Sequence, residues 1–499
     1  MNRHVVISGL LGALLWAPCN NLAGQTSSSE QADEPNPGSA AVHRDQRTGT
    51  DQDENSDLAR LPKSVPRKAD TESKASGRAA NQRIYIENVF TFSSQDDQVI
   101  VPVPQSIAVS WQNLLFLDVR KQWKLADRLN FTLSDRLHLR AEDNLAFLNH
   151  ASVINSLREG FLSWEPFQRT YFDLGLINLR SGAALGFNPT DFFKTRTVQE
   201  PLTADPAAIR EDRLGALMLE MQHVGQGWSL TAALAPALLS PHPMYTSTGL
   251  PSFTPSINRT NDKTRWLIKG SVRLGSDFAP EVIFYREGNQ TKGGVNLTRV
   301  LGQRVVVYGE WAGGERASLI DEVLSFGRQT GSLPPSAPRL ITGDSTVRFQ
   351  NDVAAGGTLT PRAKLSFNLE YHFHQAGFSK QDWSQWFSLG NGQASYSPIA
   401  QELWYMRGYA SDQQEPLTRH AVFLRADWSD AMVRNLELSG FVNCNTYDRS
   451  ALLQVSADYY LSDSWSIGAQ LRASVGTVRS EFGSLPQRMN VLLKVAKYF

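Results

Sequence analysis

Along most of this chain apolar and polar residues alternate with period two, the pattern of strands that have one apolar face. The clearest stretch is Leu129 to Ala141. There Leu129, Phe131, Leu133, Leu137 and Leu139 alternate with Asn130, Thr132, Ser134, Arg136, His138 and Arg140. Leu365, Phe367, Leu369, Tyr371 and Phe373 repeat the design against Lys364, Ser366, Asn368, Glu370, His372 and His374. So do Trp266, Ile268, Val272 and Leu274; His420, Val422, Leu424 and Trp428; and Trp465, Ile467, Ala469 and Leu471. Ile84, Ile86, Phe90 and Phe92 start the series within Gln82 to Ser93, and Val491, Leu493, Val495 and Phe499 end it.

The connections are of two kinds. Tight turns are expected near Ala126-Asp127-Arg128, Glu165 to Arg169, Gly225-Gln226-Gly227, Ser276-Asp277, Gly302-Gln303, Thr360-Pro361-Arg362, Ser429 to Asn435 and Ser462-Asp463-Ser464. Longer connections lie between them: Asp143 to Ser156, Leu179 to Asp212, Pro236 to Thr264, Ala312 to Ser345, Gln375 to Thr418 and Val475 to Met489. Strands flanking the eight turns, with a first and a last strand added, come to about eighteen. Short turns at one end and long loops at the other suit a transmembrane antiparallel up-and-down β-barrel; a soluble sandwich has no reason to sort its loops in this way.

Composition is compatible with that reading. Mean hydropathy is −0.32, and no stretch approaches the roughly 18 to 20 consecutive apolar residues of a spanning helix. Formal net charge is +0, which argues against nucleic acid as a partner. Residues 1–24, with Arg3 and His4 ahead of the apolar run Val5 to Trp16 and small residues near Ala23-Gly24, read as a signal peptide. Residues 25–81 contain no Phe, Trp or Tyr and read as a disordered polar periplasmic leader, leaving 82–499 for the barrel. Once the signal peptide is cleaved, Cys444 is the remaining cysteine, so no disulfide within one chain is expected.

Two segments carry a resemblance. The terminal run N-V-L-L-K-V-A-K-Y-F, Asn490 to Phe499, resembles the assembly signal of bacterial outer-membrane β-barrels, with Phe499 as its aromatic terminus. Lys497 departs from it, sitting on the apolar face. The stretch Gly186-Phe187-Asn188-Pro189-Thr190-Asp191-Phe192 resembles the G-x-N-P-x-D-F segment of porin-like outer-membrane proteins of the alginate-export and related large-barrel type. The resemblance implies residence in the outer membrane, contact with its lipid and with the barrel assembly machinery, and passive passage of small hydrophilic solutes or a polar, anionic polymer such as a polysaccharide. No cofactor and no enzymatic activity are expected. An outer-membrane barrel enzyme and a loop-mediated adhesin or scaffold are the alternatives, the latter resting on Trp383, Trp386, Phe387, Trp404 and Tyr405 in one long loop.

Candidate chemistry follows from the same pattern. Leu179 to Arg196 is expected to fold inward on Phe192 and Phe193 as an apolar anchor, placing Arg180, Asp191, Lys194 and Arg196 at a constriction. Arg136, His138 and Arg140 share one polar strand face, as do Arg265, Lys269 and Arg273, and both rows are expected to line the lumen. Acids interleave with them: Glu87, Asp118, Asp173, Glu220, Glu310, Asp352 and Asp458. Strong anion selectivity therefore does not follow. Glu370, His372 and His374 share one face at two-residue spacing, but no fourth ligand is identifiable for a metal, and they read as lumen-facing polar residues.

Overall fold

The computed structural model describes residues 82–499 except 97–98, 103–108, 143–152, 199–202, 242, 244–255, 276, 334–345 and 395–396. The signal peptide and polar leader lie outside the described residues. Strands β1 (Gln82–Gln95), β2 (Trp111–Ala126), β3 (Leu129–Glu142), β4 (Val153–Phe167), β5 (Thr170–Ile177) and β6 (Ala216–Val224) open the sheet. They are followed by β7 (Trp228–Ala235), β8 (Arg265–Val272), β9 (Glu281–Glu287), β10 (Gln290–Leu301), β11 (Val305–Arg316) and β12 (Arg348–Arg362). The set ends with β13 (Leu365–His374), β14 (His420–Trp428), β15 (Leu436–Asn445), β16 (Ala451–Ser462), β17 (Trp465–Val475) and β18 (Gln487–Tyr498).

Each strand pairs antiparallel with the next, and β1 pairs with β18 from Tyr85 opposite Tyr498 to Gln95 opposite Gln487. The sheet is a closed 18-stranded barrel, and closure leaves neither terminal strand an unpaired edge. All eight expected turns join strands at one end; the nine other connections gather at the opposite end, called here the loop end. Not all of these are long: β9 and β10 meet through Gly288-Asn289 and β15 and β16 through residues 446–450.

The burial pattern is the reverse of a soluble sheet. On β3 the leucines face out, Leu139 being 42% exposed, whereas Thr132, Ser134, Arg136, His138 and Arg140 are buried inside. Phe92, Leu174, Val282, Leu369 and Leu493 are likewise among the exposed outward residues. Large apolar side chains in an exposed belt around a polar interior are what a hydrocarbon surround selects.

The interior departs from the expected charge-lined lumen in a small cluster of Val89, Leu114, Phe116 and Leu492 and in one larger sector. Ala216, Met218, Ala233, Ala235, Leu267, Ile283 and Tyr285 point inward from β6–β9 and are buried, in one apolar cluster with Phe192 and Phe193. An apolar inner wall is stable here because a loop covers it.

Helices stand over the loop end. Besides the short α1 (Pro206–Glu211) and α2 (Ile257–Thr260), they are α3 (Leu319–Gln329), α4 (Lys380–Gly390) and α5 (Pro398–Gln413). Ser318, Ser379 and Ser397 cap the last three, with a reciprocal Ser379–Asp382 box on α4. Their apolar faces meet in a core that includes Val323, Leu324, Trp383, Trp386, Leu403 and Met406, with Val101 supplied by the connection after β1. The long loops thus build a lid with an interior of its own.

Candidate functional site

The connection between β5 and β6, residues 178–215, turns into the barrel. Phe192 and Phe193 form a single 3-10 turn with Lys194; Phe192 stacks on Tyr285 at 4.6 Å between ring centres, and Phe193 meets the same ring edge-on at 5.8 Å. Arg265 lies over Phe193 at 4.9 Å. The apolar anchor therefore seats on the inner wall.

Beside that anchor the loop lies along the wall at β11 and β13. Ala184 N–H donates to Glu310 Oε1 at 2.7 Å, and Leu185 and Gly186 N–H donate to the two oxygens of Glu370 at 2.6 and 2.9 Å. Glu370 also accepts from Tyr308 Oη and lies 2.8 Å from His372 Nε2. Two inward carboxylates on β11 and β13 thus satisfy loop amides that would otherwise be buried without partners. Gly186 makes this possible: a Cβ there would lie 2.6 Å from the Phe423 ring and 2.7 Å from His372. Glycine is needed for close approach.

The structure spreads the expected constriction residues over several roles. Asp191 is buried and takes Arg213 Nη1 at 2.6 Å, with Arg210 at 3.4 Å. Burial raises its pKa, but the arginines outweigh that and hold the carboxyl below its usual range. Lys194 is buried, donates to Asn188 O at 2.6 Å and rests 4.4 Å over the Phe187 ring; burial lowers its pKa to about 8. Arg196 pairs with Asp262 at 2.8 Å and donates through its backbone N–H to Asp412 O. Asp191 and Lys194 tie the loop to itself and Arg196 joins it to α5 of the lid; none of the three faces open water. Arg180 is half-buried near the start of the loop.

Of the two expected lumen rows, Arg136, His138 and Arg140 are buried, as are Arg265 and Lys269, and Arg273 lies exposed just past β8 at the turn end. Arg136 Nε donates to Asp118 at 2.8 Å and Arg158 Nη2 to the same oxygen at 2.6 Å. Both also reach Asp212, at the end of α1, at 3.1 and 3.0 Å. At its other end Asp205 caps α1 and bonds Arg425 of β14, and Thr203 pairs with Gln454 of β16. Residues 203–212 are thus strung across the bore, tied at each end to an arginine of the wall.

What that strap leaves open is visible in side-chain exposure. Arg265, Glu310, Glu370 and His374 are at most 2% exposed. By contrast the inward side chains Arg83, Arg120, Asp458 and Lys494 are 32%, 51%, 26% and 26% exposed. Water therefore reaches these four side chains, which lie in the turn-end half of β1, β2, β16 and β18; toward the loop end the same wall carries a buried apolar cluster of Val89, Leu114, Phe116 and Leu492. Arg83 lies 3.7 Å from Asp118, Arg120 3.5 Å from Glu159, and Lys494 2.7 Å from Asp458, and Glu87 lies half-buried on the same side of β1. Both signs line this lane.

Solved structures align with much of the chain at low similarity. Crystal structures of Pseudomonas aeruginosa OccK8 (OprE) and OccK5 (OpdH) match with TM-scores of 0.46 each, 10% and 7% sequence identity, 84% of this chain covered and 98% and 97% of theirs. A triple mutant of the Rhodopseudomonas blastica porin matches with TM-score 0.37 and 6% identity over 84% of this chain and 99% of its own. No protein-family model matches the chain, and no curated protein does.

Sequence pattern missed Arg83 and Arg120 as lane residues. The available signal was their register: Arg83 alternates with Ile84 and Ile86, and Arg120 shares a face with Asp118. Glu370, His372 and His374 are inward as expected, but the first two serve the loop and His374 Nδ1 is 2.7 Å from Asp352. Among the described residues no group of three or more His, Cys, Asp or Glu is arranged to hold a metal ion. The aromatic residues that suggested an adhesin, Trp383, Trp386, Phe387, Trp404 and Tyr405, are buried in the lid core.

Proposed function

We propose that the protein is a passive channel of the bacterial outer membrane, conducting small hydrophilic solutes along the lane between the loop strap and strands β16–β18, β1 and β2. The observation that carries the reading is the contrast within the bore: one sector is dry and filled by the Phe192–Phe193 anchor, whereas Arg83, Arg120, Asp458 and Lys494, inward on the other, keep contact with water. A lumen of mixed charge passes solutes by size and by local field, with no chemical step. Arg83 and Arg120 set the cationic side of the lane, and Glu87, Glu159 and Asp458 the anionic side. Arg136, Arg158 and Asp212 fix the strap whose position defines its width, and Arg180 lies at the strap's approach. Outer-membrane lipid surrounds the apolar belt, with the lid outside the cell and the eight turns in the periplasm.

The test is single-channel recording in planar bilayers with protein shown to be folded by heat-modifiable gel migration. Discrete steps that scale with salt are expected. A folded barrel that gives no steps in any salt would overturn the reading.

A further inference from the structure

At the loop end, beside the ends of β12–β14 and the first turns of α3 and α4, lies an open cavity of about 620 Å³. Arg348, Lys380 and Arg419 line it, together with Tyr447 and the first residues of α3 and α4. Among the described residues that line it, three are cations and one, Asp382, is a carboxylate, whose Oδ2 is already turned to the N–H and hydroxyl of Ser379 at 2.7 Å each. Arg419 is positioned by its Nε, which donates to Gly377 O at 2.9 Å, so its terminal amino groups have no protein partner among the described residues. Lys380 has none either.

The cavity adjoins the apolar belt. Tyr447 packs edge-on against His420 at 5.4 Å, and His420 in turn meets Phe373 at 5.1 Å and bonds Tyr371 Oη at 2.6 Å. Tyr371 and Phe373 are on the outward register of β13, Phe373 directly opposite His420. A belt of aromatic rings marks the level where hydrocarbon gives way to head groups, and the cations stand immediately beyond it.

We infer that this cavity binds the phosphate of a lipid head group from the surrounding leaflet, with Arg348, Arg419 and Lys380 as the cationic ligands and the acyl chains running down the β12–β14 wall. A free inorganic phosphate shares the ligand chemistry but gains nothing from the Tyr371, Phe373, His420 and Tyr447 surface. The inference rests on the placement of the barrel in a bilayer and is independent of conduction: a barrel that carries no current can still retain lipid, and the reverse holds too.

Native mass spectrometry of the full chain in detergent provides the test, with an acylated glucosamine disaccharide bisphosphate and its dephosphorylated form as probes. Retention of the bisphosphate and not of the dephosphorylated form is expected. Each cation removed should weaken retention about fivefold, so that R348Q/K380Q/R419Q falls about a hundredfold while R128Q/R169Q/R304Q at the turn end retains lipid as the unaltered protein does. Should the triple variant fail to fold, K380Q, a change at an exposed side chain, must by itself give the fivefold loss. Equal retention by the triple variant, equal retention of the dephosphorylated lipid, or full displacement by inorganic phosphate would each overturn the inference.

Discussion

Gly186 donates its backbone N–H to Glu370 at 2.9 Å although 184 positions separate the two residues. That bond, with the companion from Leu185, holds the inward loop against the wall at β13. Gly186→Val adds atoms where the Phe423 ring and His372 already stand within 2.7 Å of a Cβ, so the barrel should still form while the loop tip is displaced. Noisy currents and a conductance raised severalfold are expected in planar bilayers. Quiet currents of unaltered size would show that the loop tip is free to move without consequence.

The Phe192–Phe193 anchor should matter as much. Replacing both by Ser removes ring contacts with Tyr285 and strips cover from the apolar wall of β6–β9, at a cost of about 2 kcal/mol or more per ring. Proteolysis within residues 178–215 of the folded barrel should become many times faster. Protection equal to that of the unaltered protein would place the anchoring energy elsewhere, in the ion pairs of Asp191 and Arg196.

Asp212 neutralises Arg136 and Arg158 at one end of the strap. Asp212→Asn leaves both arginines with Asp118 as their remaining carboxylate, and the lane beside them gains positive potential that confined water screens poorly. The reversal potential under a salt gradient should move toward anions, by about a factor of two or more in permeability ratio. A shift toward cations, or none, would mean that permeating ions do not pass this point.

The lid carries a titratable seam. Glu481, in the connection after β17 and buried beside α5, accepts from Asn445 Nδ2 at 2.8 Å; its backbone N–H donates to Asp448 at 2.7 Å, and its carbonyl takes Arg407 Nη2 at 2.6 Å. Burial pushes its pKa from 4.5 up to about 7, with Asp448 adding to the rise and Arg407 opposing it. A raised folded pKa means that the folded lid binds the proton more tightly than the open one. The seam is therefore strongest below about pH 4.5 and weakens as pH climbs toward about 7, by at most about 3 kcal/mol. Hydrogen exchange of α5 amides should accelerate over that interval, and Glu481→Gln should flatten the dependence. Exchange that slows with rising pH, after correction for its intrinsic rate, would contradict the assignment.

At the barrel seam, Phe499 N–H donates to Ile84 O at 3.0 Å, and its ring is 66% exposed on the outer belt. Lys497, the residue that broke the apolar pattern, lies 4.9 Å over the Trp465 ring and 5.5 Å over that of Phe499, an arrangement that lets its apolar stem lie on the belt. Phe499→Ser should reduce the yield of heat-modifiable barrel several-fold while leaving export intact. Normal yield would show that closure between β1 and β18 does not depend on the ring.

Much of the architecture was legible in the chain because a barrel is written locally. Period-two alternation fixes which side chains face out, and turn residues fix where each hairpin reverses, so eighteen strands and eight turns followed from short windows. The inward fold of the loop was readable too, from two adjacent aromatic residues that water would not tolerate. Which inward residues meet water was not. Arg265 and Arg120 occupy the same kind of register, yet one is 1% exposed and the other has a side chain 51% exposed. The difference is made by height in the barrel, Arg265 opening β8 at the loop end and Arg120 lying toward the turn end of β2, and by residues 178–215, which cover Arg265 with Phe193 and whose course depends on Glu310, Glu370, Asp262 and Arg425, each far away in sequence. Alternation assigns a side chain to a face, but whether that face is dry wall or water-filled lane is decided by what crosses the bore, and only tertiary contact positions the strap.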